Sequence, residues 1–210
     1  MIEELLPTGV VAVEAFGDVS DEPVFPGEEH LIARAVESRR REFITARRCA
    51  REALGKLGYP AGPIGSGPRR EPQWPEGVAG AITHCKGYRA AAVAPLSVLA
   101  SLGIDAEPNG PLPDGVEESV TVPGEREMLA TLQAAHPATH WDRLLFSAKE
   151  SVYKAWYPLE RRWLGFEDAR LTIDPAGTFR AEVLIDGPLA ELNGRFLVAR
   201  GLVATAVTVP

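Results

Sequence analysis

Two carboxylates close an apolar run in the middle of this chain: Asp105 and Glu107, within GIDAEP at 103–108. Side chains alternate along a strand, so residues two apart share a face. Adjacent carboxylates repel unless a cation lies between them. At a strand end with open loop beyond, such a pair suits Mg2+, a hard ion that takes oxygen ligands and keeps several waters. The pair also fits an exposed strand end before a turn.

A second cluster follows in FSAKESVYKAW, 146–156. At about 100° per residue on a helix, Arg143, Ser147, Glu150, Ser151 and Lys154 fall on one face. Leu144, Leu145, Ala148, Val152, Ala155 and Trp156 cover the other, with Phe146 and Tyr153 flanking. The spacing predicts an amphipathic helix with a narrow polar stripe. Read as a surface helix, its Glu150–Lys154 pair contributes only ~0.3 kcal/mol. Lys149 fits that reading worst. It points into the apolar arc, where its stem is buried and its ammonium must snorkel or meet an anion.

Basic residues gather elsewhere. Arg40, Arg41, Arg47, Arg48 and Arg51 lie along one helical stretch, Arg69 and Arg70 lie in a Pro/Gly loop, and Thr83, His84 and Lys86 stand at a strand-to-turn junction. The whole chain carries a net charge of −7, a field that disfavours nucleic acid as the main partner. Local arginine clusters in such a chain point to an anionic ligand, since the guanidinium fork matches phosphate. They also fit a solvated helix face. His136 and His140 have the spacing of a metal pair, but Pro137 breaks the helix that would align them. Nothing matches a Gly-x-Ser-x-Gly elbow, a P-loop or a dinucleotide glycine fingerprint.

These residues need elements to hold them. With 210 residues, 45% of them hydrophobic, the chain can bury one large core or two small, intimately packed ones. Strands are expected at 9–15, 77–84, 88–94 and 97–107, with 77–84 and 88–94 paired. One or two helices are expected over 28–58, where Ala35, Phe43, Ala46, Ala50, Leu54 and Leu57 form an apolar stripe. In the second half the pattern predicts a loop to about 123, helices at 124–135 and 141–156, and a stop at Pro158. Four strands then follow, at 169–173, 178–185, 194–200 and 202–209. Each half reads as helix followed by strands, so the class is α+β with two halves of similar make-up meeting near Ser101. Cys49 and Cys85 form no CxxC pair and no zinc spacing, which points to a reducing compartment. The acidic N-terminus lacks the basic region and apolar core of a signal peptide. No apolar run approaches the ~18 residues of a membrane span. The expected location is the cytoplasm.

Taken together, GIDAE and WDRLLFSAKESVYKAW resemble the two signature motifs of the 4'-phosphopantetheinyl transferases: Gly-x-Asp-x-Glu, then Trp or Phe-x-x-Lys-Glu-Ser-x-x-Lys. RREFITARRCAREAL, the REPQWP loop and AITHCKGY are similar to segments of the enterobactin-synthase subgroup, which includes actinobacterial members. The resemblance spans about 38–170, and the length is that of the surfactin-type monomers. It implies a pseudo-twofold monomer of two similar α/β subdomains, 1–101 and 102–210, with the active site in the cleft between them. It implies transfer of the phosphopantetheine arm of coenzyme A to a serine of an acyl or peptidyl carrier protein, in fatty-acid, polyketide or nonribosomal-peptide synthesis, with release of adenosine 3',5'-bisphosphate. Asp105, Glu107 and Glu150 would hold Mg2+, or Mn2+ in its place. Glu150, Lys154 and Lys149 would be catalytic, the two lysines also contacting coenzyme A. Arg47, Arg51, Arg69, Arg70, Thr83 and His84 would hold the nucleotide. Cys85 stands where many relatives have a serine. An acidic carrier would need a local basic or apolar patch, expected around RRWLGF at 161–166 or the loop after Glu107. Neither a nucleic acid nor a membrane is implied as partner. Two other functions use the same residues: a Mg2+-dependent phosphoanhydride hydrolase, and a non-catalytic module that binds coenzyme A or carrier protein.

Overall fold

Small apolar residues at alternating positions build the first sheet. In the computed structural model, which describes residues 1–210, β1 (Val11–Ala15) leads through a 3-10 turn to α1 (Glu37–Lys56). Two short strands, β2 (Gly65–Ser66) and β3 (Pro72–Gln73), precede the hairpin of β4 (Val78–Cys85) and β5 (Tyr88–Pro95). These form an antiparallel sheet in the order β1-β5-β4. The second half runs β6 (Ser101–Pro108), α2 (Val116–Val120), α3 (Glu125–Ala135), α4 (Trp141–Glu160), β7 (Ala169–Asp174), β8 (Thr178–Val183), β9 (Glu191–Ala199) and β10 (Leu202–Val209). Its strands form an antiparallel sheet ordered β6-β10-β9-β8-β7. The α+β class expected from the sequence is the one observed.

The two sheets share a core. Ala79, Ala81, Ala90, Ala92 and Ala94 of the first meet Leu102, Ile104 and Ala106 of β6 and Leu202, Ala204 and Ala206 of β10. On its other face the first sheet packs Ala91 and Val93 against Cys49, Ala50, Ala53 and Leu54 of α1. The second sheet packs Val203, Val207 and Phe196 against Leu144, Leu145, Ala148 and Trp156 of α4. No helix is long and apolar enough to cross a membrane.

The differences from the expected elements have local causes. The strand expected from 97 begins at Ser101, because Val98 and Leu99 both donate backbone bonds to Pro95 in a turn. Helix α2 lies in the segment expected to be loop. Helix α4 continues through Pro158 to Glu160. A proline within a helix removes one backbone donor, and α4 ends one turn later, at Arg161, whose φ of 54° is left-handed and whose N–H reaches Tyr157 O at 2.9 Å. Part of the polar stripe of α4 faces protein rather than water. Ser147 and Ser151 are fully buried. Ser147 Oγ meets Thr205 Oγ1 at 3.0 Å, and Ser151 Oγ donates to Ala148 O at 2.9 Å. Short hydroxyls that bond locally can be buried without orphaned polar groups.

One contact sets where α4 lies. A Cβ on Gly103 would fall 2.0 Å from Ser151 O and 2.7 Å from Ala155 N. Beside it, Ser101 Oγ donates to Ala155 O at 2.7 Å. The helix backbone therefore rests directly on β6, which brings Glu150 and Lys154 beside Asp105. We predict that Gly103→Ala lowers stability by about 1–3 kcal/mol or more, because the obstructing atoms are backbone and cannot rotate away. Urea denaturation measures this, and a midpoint equal to that of the unsubstituted chain would contradict the account.

Candidate active site

A cleft of about 1320 Å³ opens where α1, β4 and α4 approach one another. Its lining includes Arg39 and Arg47 of α1, Arg69 and Arg70 from the β2–β3 loop, His84 of β4, and Glu150 and Lys154 of α4. The volume exceeds the ~300–1,000 Å³ of drug-sized pockets, and the cations favour an extended polyanion.

The carboxylates stand at the end of β6. Asp105 is buried, and its Oδ1 accepts from Lys154 Nζ at 2.7 Å and from Thr83 Oγ1 at 3.2 Å. Its Oδ2 is buried with no hydrogen-bond partner. Glu107 Oε2 accepts from Arg143 Nη1 at 3.2 Å. Burial, and next the charge of Asp105, push the Glu107 carboxyl up to about 7. Burial also raises that of Glu150, with Asp105 adding to the effect and Lys154 opposing it. The three do not converge into a closed metal cage, since Lys154 and Arg143 are the neutralising cations of Asp105 and Glu107. The donor set nonetheless fits a hard divalent ion: all oxygen, one oxygen buried and unpaired, and two carboxyls held above their ordinary range.

Arg47 is buried, and three bonds hold it: Nη1 to Ile64 O and Gly65 O at 2.9 and 3.2 Å, and Nη2 to Ser66 Oγ at 2.9 Å. Burial lowers its value to about 10, a cost that a bound anion would offset. His84 lies under Arg39, whose guanidinium donates to its ring, with Glu42 Oε2 3.2 Å from Nδ1. Burial, then Arg39 and Lys154, push the imidazole down to about 4.

Three expected site residues point elsewhere. Lys149 Nζ donates to Glu125 Oε2 and to Phe166 O, both at 2.8 Å, within the C-terminal core. Its ammonium does meet an anion, but that anion belongs to α3, and Lys149 is not brought to the cleft. The cause is angular: Lys149 and Glu150 are one residue apart on a helix, so their side chains diverge by about 100°. Arg51 Nη1 donates to the buried Glu28 at 2.7 Å, and its guanidinium lies over Phe25. Glu28 also takes the N–H of Ile64, so Arg51 braces the loop behind Arg47 and does not line the cleft. Thr83 is buried against Asp105 and not toward the arginines. Cys85 is buried too, and its thiol is pushed up to about 12, mainly by burial. Lys86 is exposed in the turn after β4.

Other residues join the site without having been singled out for it. Arg39 was not among the helix arginines read from the sequence, and only the packing of α1 on β4 shows that it reaches His84. Arg143 joins Glu107 to the carbonyls of Gly110 and Pro111. Tyr153 lines the cleft, with ring centroids 5.7 Å from Tyr157 and 5.0 Å from Trp163. Arg69 lies over Trp163 at 5.3 Å. The i, i+4 spacing of Tyr153 and Tyr157 was a readable signal; Trp163 was expected only as part of a docking patch at 161–166, and its contact with Tyr153 depends on how the chain turns after the helix.

The chain as a whole matches known proteins. A model of the 4'-phosphopantetheinyl transferase N-terminal domain matches residues 27–94, and one of the 4'-phosphopantetheinyl transferase superfamily matches 101–206. The 4'-phosphopantetheinyl transferase Svp of Streptomyces mobaraensis is 55% identical, over 100% of this chain and 89% of its own length. Npt of Nocardia iowensis is 50% identical, over 99% of both chains. PptT of Mycobacterium tuberculosis is 47% identical, over 99% of this chain and 97% of its own.

Two predictions follow from the buried charges. Lys149→Met should cost about 3–5 kcal/mol of stability by leaving Glu125 buried without its counter-ion. Chemical denaturation reads this loss, and an unchanged midpoint would mean the pair is not holding α3 to α4. His84 should remain neutral at pH 7 and titrate near 4 rather than at 6.5. Its folded value lies below its unfolded one, so its contribution to stability is present above 6.5 and fades as pH falls toward 4. NMR titration of the ring, and the narrowing of the stability gap to His84→Gln over that window, check both points. A ring that titrates near 6.5 would refute the crowding seen here.

Proposed function

The chain belongs to the 4'-phosphopantetheinyl transferase superfamily and is an enzyme of that class, and from that membership we propose how its cleft acts on coenzyme A and a carrier protein. The observation that carries the reading is the pairing of Asp105, whose Oδ2 is buried and unpartnered, with a cleft lined by arginines, His84 and Lys154.

In this reading the nucleotide of coenzyme A lies on the side of Arg47, Arg69, Arg70, His84 and Arg39, where guanidinium forks hold phosphate oxygens. Arg47 is fixed before any ligand arrives, so little entropy is lost when it binds. Lys154 stands beside the pyrophosphate, able to exchange Asp105 for a phosphate oxygen without moving its helix. Asp105, Glu107 and Glu150 would hold Mg2+, or Mn2+, which neutralises the pyrophosphate and polarises the phosphorus under attack. Glu150, with its carboxyl raised toward the working range, takes the proton of the carrier serine directly or through a water. The serine oxygen bonds to the phosphorus on the pantetheine side. The bond from that phosphorus to the bridging oxygen breaks, and adenosine 3',5'-bisphosphate leaves.

Residues 1–101 then form the nucleotide-binding subdomain and 102–210 the metal and catalytic subdomain of a cytoplasmic monomer. The gap between the two family matches, 27–94 and 101–206, lies close to that boundary. The carrier docks on the rim at 159–163, where exposed Leu159 and Trp163 are flanked by exposed Arg161 and Arg162. That patch offers apolar contact and positive charge to an acidic domain.

Intact-mass spectrometry of apo acyl and peptidyl carrier proteins, incubated with coenzyme A and Mg2+, tests the reading. The expected result is conversion to the holo mass. Glu150→Gln should slow it by roughly 10²–10⁴-fold, the range for a general base, while coenzyme A binding persists. Carriers left at their apo mass would overturn the proposal. Release of adenosine 3',5'-bisphosphate without a carrier would make the chain a hydrolase instead.

A further inference from the structure

We propose that Thr83 is a positioning residue for the metal carboxylate Asp105, and that its hydroxyl serves that carboxylate and not the nucleotide; this rests on the reading that Asp105, Glu107 and Glu150 hold a divalent cation. Strand alternation is the first ground. Neighbours on β4 face opposite ways. His84 faces α1, where it meets Arg39 and Glu42, whereas Ala81 and Cys85 face the core shared by the two sheets. Thr83 shares the parity of Ala81 and Cys85 and is 1% exposed. Its hydroxyl points across to β6, away from the arginines.

The bonds of that hydroxyl are the second ground. Thr83 Oγ1 accepts the N–H of Ala106 at 3.0 Å and donates to Asp105 Oδ1 at 3.2 Å. A hydroxyl has one proton. The backbone N–H can only donate, so that proton is committed to the carboxylate. Lys154 Nζ donates to the same oxygen at 2.7 Å. Oδ1 therefore carries both donors, and Oδ2 carries none although it is buried. A half-turn of the carboxylate only exchanges two equivalent oxygens, whereas rotation out of this plane breaks both bonds. Asp105 is thus held with one oxygen tethered and the other left for a cation, the arrangement by which outer hydrogen bonds orient a metal ligand. The tether spans the two halves of the molecule: the strand that carries His84 to the nucleotide side also aims Asp105.

Thr83→Val keeps the shape and removes the hydroxyl, and Thr83→Ser keeps the hydroxyl. Mn2+ binding to the full chain with coenzyme A present, followed by electron paramagnetic resonance, is the primary measurement. Coenzyme A affinity in excess chelator is the second. Thr83→Val should weaken Mn2+ by roughly 10–100-fold, leave coenzyme A affinity in chelator unchanged, and be rescued by Thr83→Ser. Should Thr83→Val not fold, Thr83→Ala deletes the same hydroxyl and is judged by the same comparisons. Mn2+ affinity equal to that of the unsubstituted chain would overturn the inference. A fall in coenzyme A affinity in chelator would also overturn it and assign Thr83 to the nucleotide. Failure of Thr83→Ser to restore binding would show that shape matters and not the hydroxyl. If the unsubstituted chain binds no Mn2+, the metal reading itself fails, and the inference with it.

Discussion

Helix α4 reaches Asp105 because Gly103 has no side chain. With Ser151 O only 2.0 Å from where a Cβ would stand, any other residue on β6 would lift the helix from the sheet. Glu150 and Lys154 would rise with it, and the Lys154–Asp105 pair at 2.7 Å would open. The glycine of Gly-x-Asp-x-Glu is therefore a spacing device. It sets the distance between the strand that carries two carboxylates and the helix that carries the third.

The charges around that contact explain one another. Burial makes each carboxylate costly unless a cation meets it. Lys154 meets Asp105 and Arg143 meets Glu107, while Glu150 is left with a raised carboxyl. On the other wall, the buried guanidinium of Arg47 has the opposite need, for an anion. A ligand with a pyrophosphate and a hard cation carries both signs and answers both walls at once. The net charge of −7 does not enter, because the fields that matter act over a few ångströms inside a partly buried cleft.

Lys149 shows how a motif residue can serve its neighbour from within the core. Its bonds to Glu125 and Phe166 O tie α4 to α3 and to the segment before β7, and Glu125 also takes the N–H groups of Val122 and Leu171. That network fixes the rotation of α4 about its axis. Glu150, next in sequence, is turned toward the cleft by the same rotation. Of two adjacent charges in one helix, one acts in the core and the other in the cleft.

Much of this was legible in the residues. Alternation marked the strands and the shared face of Asp105 and Glu107, and the 3.6-residue period marked α1, α3 and α4. Both are local rules, set by backbone geometry within one element. The combination of GIDAE with FSAKESVYKAW named the family, because two motifs at a set separation are far rarer than either alone. What the sequence left open was where each charge goes once elements pack. The period of α4 put Ser147 and Ser151 on its polar side, but only the placement of β6 and β10 buried them. The cluster at 83–84 read as one unit until β4 met β6 on one side and α1 on the other, sending Thr83 to Asp105 and His84 to Arg39. The sequence by itself determined which groups are present and which neighbours share a face. The tertiary structure alone decided their partners, because a hydrogen bond or ion pair between residues 22 or 24 apart, as in Thr83–Asp105 and Lys149–Glu125, depends on how separate elements dock.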